Sequence, residues 1–257
     1  MEKENTKVSS RRDFFKKSGA IAGGLLLVSM LDPLKQIKAL AGEKPKGKGA
    51  WYGIGVDLEK CIGCGSCAKA CKTENNVPKE PFFFRSWVEQ YSVTANGVVK
   101  VQSPNGGVDG FKQPVLDKEI EKSFFIPKSC NHCAKSPCEQ VCPVGATFIS
   151  PDGVVLVDET YCIGCGYCVQ ACPYACRYLH PVKHTADKCT LCYHRIKKGL
   201  APACITVCPT GAKIYGDLND KNSDLVKFIK EHNCTVLKPH LNTKPKFFYN
   251  ALKEEAE

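Results

Sequence analysis

Four quartets of cysteine constrain this chain more than any other feature of its 257 residues. The first is Cys61, Cys64, Cys67 and Cys71, in CIGCGSCAKAC. The second is Cys130, Cys133, Cys138 and Cys142, the third Cys162, Cys165, Cys168 and Cys172, and the fourth Cys189, Cys192, Cys204 and Cys208. They take up sixteen of the 18 cysteines, so the fold has to gather thiols rather than scatter them. The first and third quartets share eight of eleven residues at an offset of 101. The second and fourth both end in C-x-x-x-C-P-x-G-A, which makes the quartet an internal repeat.

The spacing says what is repeated. A C-x-x-C-x-x-C turn aims three thiolates into one small concavity, and a cysteine four residues on, one helical turn away, points elsewhere. In two-cluster bacterial ferredoxins such a run gives three ligands to one iron–sulfur cluster and the fourth to its neighbour. Gly63, Gly65, Gly164 and Gly166 let the backbone wrap closely and turn N–H groups toward an anionic cluster, and prolines at 143, 173 and 209 stop the short helices. Zinc fits this pattern poorly, because it takes four thiolates in a tetrahedron from two separated knuckles. A disulfide scaffold is the usual reading of a cysteine-rich exported chain, but the export signal argues against it here.

That signal opens the chain. SRRDFFK at residues 10–16 is followed by an uncharged stretch, Ser18 to Leu31, and by Ala39-Leu40-Ala41, a small-residue cleavage site. Fourteen residues are too few to cross a bilayer, so residues 1–41 read as a cleaved targeting peptide. The arginine pair makes it resemble a twin-arginine signal. That pathway carries folded proteins, so clusters loaded beforehand would occupy the thiols that disulfides need, and the expected location is the periplasmic side. Removing residues 1–41 leaves +6 of the formal +10 charge. Four clusters at about −2 each, once their thiolates are counted, would more than offset it. The basic balance therefore neutralises cofactor and does not imply nucleic acid.

Residues 44–48 read as a linker. WYGIGVDLE is a strand leading into the first quartet. Between the first two quartets, WVEQYSVT and VVKVQ flank Ala95-Asn96-Gly97, a hairpin in which Asn-Gly supplies positive φ. Gly and Pro around 104–114 predict irregular loop. This insertion is a β-rich flap over the clusters; a docking surface built on exposed aromatics at 82–84 is the sharper alternative. ATFIS, a Pro-Asp-Gly turn and VVLVDE form a second hairpin between quartets two and three, the layout of a compact two-cluster ferredoxin. Quartets one and four would then pair, although the short gap between quartets three and four leaves sequential pairing open.

CIGCGYCVQACPYACRYL, KCTLCYHRIKKGLAPACITVCPTGA and LKPHLNTKPKFFY together resemble the four-cluster iron–sulfur subunit of molybdopterin oxidoreductases, such as the dimethyl sulfoxide, polysulfide and tetrathionate reductases. The resemblance covers most of residues 51–250. It implies an α+β fold of two nested ferredoxin-like lobes of βαβ type, each with two 4Fe–4S clusters. One lobe is 51–81 with 177–222, and the other, 120–176, is inserted within it. Residues 82–119 form the β-rich insertion and 223–257 a C-terminal extension. By this resemblance Cys61, Cys64, Cys67 and Cys208 hold one cluster, and Cys189, Cys192, Cys204 and Cys71 the next. Cys130, Cys133, Cys138 and Cys172 hold a third, and Cys162, Cys165, Cys168 and Cys142 the fourth. Some relatives carry Trp at the position matched to Cys165 and bind a 3Fe cluster; cysteine here implies four 4Fe–4S clusters.

Two cysteines remain. Cys176, and Cys234 after the expected helix SDLVKFIKEHN capped by Ser223, read as buried small hydrophobes. His180 and His184 have metal-ligand spacing, but Pro181 disfavours the helix they would need. Sixteen cysteine ligands would close every cluster coordinatively, and no nucleotide-binding loop or nucleophile–base motif is evident. The expectation is a non-catalytic wire passing single electrons between a molybdopterin catalytic subunit and an integral-membrane quinone-interacting subunit or cytochrome, tetrathionate-reductase-like. The alternative within the class is a periplasmic hydrogenase or nitrite reductase system. An enzyme with a substrate-binding cluster and a zinc-stabilised interaction protein are the competing classes. With ALKEEAE at the C-terminus, no membrane span is expected.

Overall fold

The computed structural model describes residues 33–43, 49–80, 83–111 and 120–253. The Arg11-Arg12 pair, the apolar stretch 18–31, the linker 44–48, Phe82 and the last four residues lie outside the described residues.

Helix α1 spans Pro33–Ala41. Strand β1 (Tyr52–Val56) runs toward the first quartet, whose Cys67 and Cys71 sit on helix α2 (Ser66–Glu74). Strands β2 (Ser86–Thr94) and β3 (Val99–Gln102) form the expected hairpin, and β4 (Ile120–Ser129) pairs along the other edge of β2, from Ser86 opposite Ser129 to Thr94 opposite Ile120. The sheet of the insertion thus reaches ten residues into the range expected for the inserted lobe. Of the Asn-Gly pair only Gly97 takes a positive φ, 81°. The loop is longer than a two-residue turn, with the Thr94 N–H bonded to the Val98 carbonyl, so one left-handed residue is enough to reverse the chain.

Short helix α3 (Pro137–Gln140) follows, then the hairpin β5 (Thr147–Ile149) and β6 (Val155–Val157), turned at Gly153 with φ 77°. Helix α4 (Tyr167–Gln170), the two-residue strands β7 (Tyr178–Leu179) and β8 (Ala186–Asp187), and helices α5 (Tyr193–Ile196) and α6 (Ala203–Thr206) lead to strand β9 (Lys213–Asp217). Helix α7 (Asp224–Glu231) and strand β10 (Phe247–Tyr249) close the fold. It is an α+β protein with ferredoxin-type units. No described helix is long and apolar enough to cross a membrane.

One sheet organises the rest. β1 lies in its middle, antiparallel to β9 and parallel to β10, with Ile54 opposite Tyr215 on one side and Phe247 on the other. Because side chains alternate across a strand, β1 and β10 serve two cores. Ile54, Val56, Phe247 and Tyr249 join Leu58, Ile126, Leu191 and Leu237 on one face; Phe248 joins Trp51, Leu218, Leu225, Phe228 and Ile229 on the other. The glycines of YGIGV make the second face flat enough for a helix. A Cβ on Gly55 would lie 2.8 Å from the Phe228 ring and 2.9 Å from Leu225, so α7 can pack on β1 only where that strand lacks side chains.

Two expectations need correction. Ser223 occupies the N-cap position of α7, but its buried Oγ makes no capping bond. The hydroxyl is turned onto Gly216, 2.2 Å from where a Cβ there would stand, so packing against β9 displaces the cap. Phe83 and Phe84 are half-buried rather than exposed: the Phe83 ring lies 5.2 Å from that of Tyr178, and Lys72 sits over the Phe84 ring. This packing fits the flap and not an aromatic docking surface. Helix α1, inside the stretch read as a leader, packs Ile37 and Ala41 into the α7 core.

Candidate metal centres

The pairing of β1 with β9 brings the first and fourth quartets to one end of the central sheet, because β1 precedes Cys61 and β9 follows Cys208. One cavity there is lined by Cys61, Cys64, Cys67 and Cys208, with Lys213 at its wall. A second is lined by Cys71, Cys189, Cys192 and Cys204, with Asn75 and Arg85. Their free spaces, mouths included, are about 350 and 300 Å³. Cys133 has Cys130, Cys138 and Cys172 as its thiol neighbours. Cys162 and Cys168 lie together. Cys142 follows α3, which packs on the helix carrying Cys168, and Cys165 is exposed.

Adjacent sets touch through single cysteines. Cys67 meets Cys204 beside Val88, Cys130 meets Cys189, and Cys138 meets Cys168. Cys64 and Cys165, at the two extremes of this series, are the exposed ones.

The local backbone explains why the sequence folds this way. Gly65 precedes α2 with φ 68°, and a Cβ there would fall 2.0 Å from the Gly107 carbonyl oxygen of the insertion, so only glycine lets the flap close over the first quartet. Backbone N–H groups then converge on sulfur: Leu191 on Cys189 at 3.3 Å, Ala186 on Cys162 at 3.3 Å, His132 on Cys130 at 3.5 Å. The cysteine that precedes each C-P turn receives a recurring set. Burial raises the Cys142 and Cys208 thiols, but N–H donors lower them overall, from Val144, Ala146 and Thr147 and from Thr210, Ala212 and Lys213. These are the same offsets in both turns. Cys172 is drawn down to about 6, first by the Cys176 thiol, then by backbone donors at Cys176 and Tyr174.

The thiols inside the turns behave oppositely. Burial, and then crowding by other thiols, pushes Cys133 and Cys189 up to about 12 and raises Cys71 well above an ordinary thiol; burial takes Cys61 to about 11. Such groups deprotonate only when cations come among them, as metal binding to thiolates does, releasing protons as it goes. The surroundings carry the matching donors. Arg177 Nε and Nη2, His132 Nε2 and both amide atoms of Asn131 are buried around the second quartet with no hydrogen-bond partner; all but Asn131 Oδ1 are donors, a surplus that an anionic sulfide-rich group would satisfy. A 4Fe–4S cluster fits this set of ligands and donors.

Relatives of known family agree with the geometry. Two models described as a 4Fe-4S dicluster domain match residues 60–146 and 121–218. The B-subunit of tetrathionate reductase from Salmonella typhimurium is 39% identical over 250 residues, covering 96% of this chain and 90% of its own length. The chain belongs to the iron–sulfur B-subunit family of these reductases. The B-chain of polysulfide reductase from Wolinella succinogenes is 35% identical over 198 residues, 77% of this chain and 92% of its own, and Protein NrfC of Escherichia coli 36% over 202 residues, 78% and 80%. The protein is a non-catalytic electron-transfer component of an oxidoreductase complex, and 4Fe–4S clusters are its cofactors.

Cys176 is buried against candidate ligands, packed with Cys130 and Cys189 and hydrogen-bonded to Cys172, whereas Cys234 is buried away from the cysteine-lined cavities. Cys176 donates to the Ser129 carbonyl at 3.1 Å, and Cys234 packs in the α7 core. His180 and His184 form a turn in which the His180 Nδ1 accepts from Val182 and Lys183. The sequence reading passed over the buried cations Arg177, Lys188, Lys213 and Lys246, and Asn75, whose Nδ2 lies 3.6 Å from Cys71 Sγ and 3.7 Å from Cys192 Sγ. Superposing the quartets could have found two of them, because Arg177 and Lys213 each stand five residues after the cysteine of a C-P turn.

Proposed function

We propose that the subunit carries four 4Fe–4S clusters in a line and passes single electrons along it. Cys61, Cys64, Cys67 and Cys208 hold the first, and Cys189, Cys192, Cys204 and Cys71 the second. Cys130, Cys133, Cys138 and Cys172 hold the third, and Cys162, Cys165, Cys168 and Cys142 the fourth. The observation that carries this reading is the run of three contacts, Cys67 with Cys204, Cys189 with Cys130, and Cys138 with Cys168, since each joins one set to the next. It supports two nested lobes, 51–81 with 177–222 around 120–176. When bound, each cluster supplies a centre that gains and loses one electron. The chain keeps the two middle sets dry, directs N–H donors at their sulfurs, and leaves Cys64 and Cys165 accessible at the ends.

The ends suit partners. Ile62 is 59% exposed beside Cys64, and Tyr161, Ile163 and Tyr167 are 59–67% exposed around Cys165. Apolar groups clustered at accessible redox centres are what a docking subunit covers. A molybdopterin-containing catalytic subunit meets one end and an integral-membrane quinone-interacting subunit or cytochrome the other, in a complex of the tetrathionate-reductase type. Iron and acid-labile sulfide analysis of anaerobically purified protein tests the cluster count. About sixteen iron per chain is expected from four clusters, and a fully loaded preparation with eight or fewer would sink the reading.

Residues 1–41 direct export by the twin-arginine pathway to the periplasmic side. The supporting observation is SRRDFFK ahead of a short uncharged stretch. Arg11-Arg12→Lys-Lys is expected to leave precursor in the cytoplasm, as cell fractionation reads; unchanged export of that double variant counts against the pathway.

A further inference from the structure

The two cations that follow C-P turns occupy equivalent places. Arg177 stands five residues after Cys172, just before β7, and Lys213 five residues after Cys208, at the first position of β9. Both are buried, at 5% and 4% exposure, and among the described residues neither has a carboxylate partner. Each is anchored by one hydroxyl. Arg177 Nη1 donates to Thr147 Oγ1 at 3.1 Å, and Lys213 Nζ to Ser86 Oγ at 3.3 Å. Thr147 is itself five residues after Cys142, so the equivalent positions after the second and third quartets touch.

What surrounds the cations is sulfur. Burial alone would lower the Arg177 pKa, but Cys138, Cys130 and Cys168 raise it overall, and its Nε and Nη2 remain without partners. Burial likewise opposes the Lys213 charge, and Cys67, Cys204, Cys71 and Cys189 override it. Cys130 and Cys138 belong to the third set of ligands and Cys168 to the fourth; Cys67 belongs to the first, and the other three to the second. Isolated buried charge is costly, so two such cations persist only where something anionic compensates them on either side.

We propose that Arg177 and Lys213 are bridging cations, one for each pair of clusters, each lodged between two clusters and raising the reduction potential of both. The inference rests on the four-cluster reading above. An electron arriving on either cluster adds negative charge, and a fixed buried cation beside it stabilises that reduced state more strongly than one in water. No proton is taken up or released by a guanidinium in this role. One electron moves and its charge is offset in place.

The test is a potentiometric titration of the full-length, cluster-loaded protein followed by electron paramagnetic resonance. Arg177→Met is expected to lower two of the four cluster midpoints, cutting the reduced-to-oxidised ratio at fixed potential about tenfold, or about 59 mV for one electron. Lys213→Met should lower the other two, and Arg177→Lys should restore the wild-type values. If Arg177→Met loses iron, the loss should be confined to two clusters, leaving about eight iron and two unmoved midpoints. Unmoved midpoints in both Met variants, a uniform shift of all four, loss of all four clusters, or identical behaviour of Arg177→Met and Arg177→Lys overturns the proposal. Wild-type protein with fewer than four clusters would overturn the ligand reading and this inference with it; four wild-type clusters with unmoved variant midpoints would count against the bridging cations alone.

Discussion

Cys208→Ala is expected to abolish the same electron paramagnetic resonance signal as Cys61→Ala, although 147 residues separate the two positions. The expectation comes from the cavity that Cys208 shares with Cys61, Cys64 and Cys67, and from β1 and β9, which hold the first and fourth quartets at one sheet end. Cys192→Ala, from the second cavity, should abolish a different signal. Loss of a ligand leaves an iron with an open position, so the affected cluster is shed or loses that iron, and total iron falls by about one to four per chain. Transfer from one exposed end to the other should stop, because the missing centre is the terminal one. If Cys208→Ala and Cys192→Ala remove the same signal while Cys61→Ala removes another, the fourth cysteines do not cross between quartets and sequential pairing takes their place.

The largest effect on stability is expected at Trp51. Its side chain is 2% exposed, lies against Gly153, and carries the Lys246 ammonium 3.8 Å from the ring centre. Its backbone N–H donates to Asp217 Oδ1 at 2.7 Å and its carbonyl accepts from Leu218, so the residue also ties β1 to the end of β9. Truncating a buried aromatic to alanine costs about 3–5 kcal/mol from transfer and cavity terms. Here it would also remove the ring beneath the buried Lys246 Nζ, which donates to the Gly153 carbonyl. At roughly 2–4 °C per kcal/mol for a chain of this size, the thermal midpoint of Trp51→Ala should fall by about 10 °C. Cluster absorbance and far-ultraviolet circular dichroism should report the loss together. A fall below about 3 °C would mean that the second core does not depend on this ring.

What was legible in the sequence was local. The quartets announce themselves by spacing, and the Gly97 and Gly153 turns by turn residues between alternating strands. Helix α7 is visible because Leu225, Val226, Phe228 and Ile229 repeat at helical spacing. The illegible parts depend on partners far away in the chain. Phe247-Phe248-Tyr249 reads as a short apolar run with no period, and only pairing with β1 makes it a strand serving two cores. Ser223 has the residue type of a cap, but the space over Gly216 decides where its hydroxyl goes. Arg177 and Lys213 are two cations among the 36 Lys and Arg of the chain, and nothing in composition separates them from surface charge. Their burial follows from the sulfur around them, which exists only after four distant segments have met.

The strand order of the central sheet fixes when that meeting can occur. β1 is the first strand of the sheet to leave the ribosome, and both of its neighbours, β9 and β10, come from the last quarter of the chain. At about 5–20 residues per second, the interval between synthesis of Cys61 and of Cys208 is roughly seven to thirty seconds. Throughout it the thiols of Cys61, Cys64 and Cys67 lack Cys208, and the β1 edges lack their pairing partners. Neither the β1–β9 pairing nor the cavity at its end can close before those segments emerge. The first quartet therefore waits without its fourth thiol until the last quarter of the chain is made, and assembly of its site is set by the order of synthesis and not by the quartet itself.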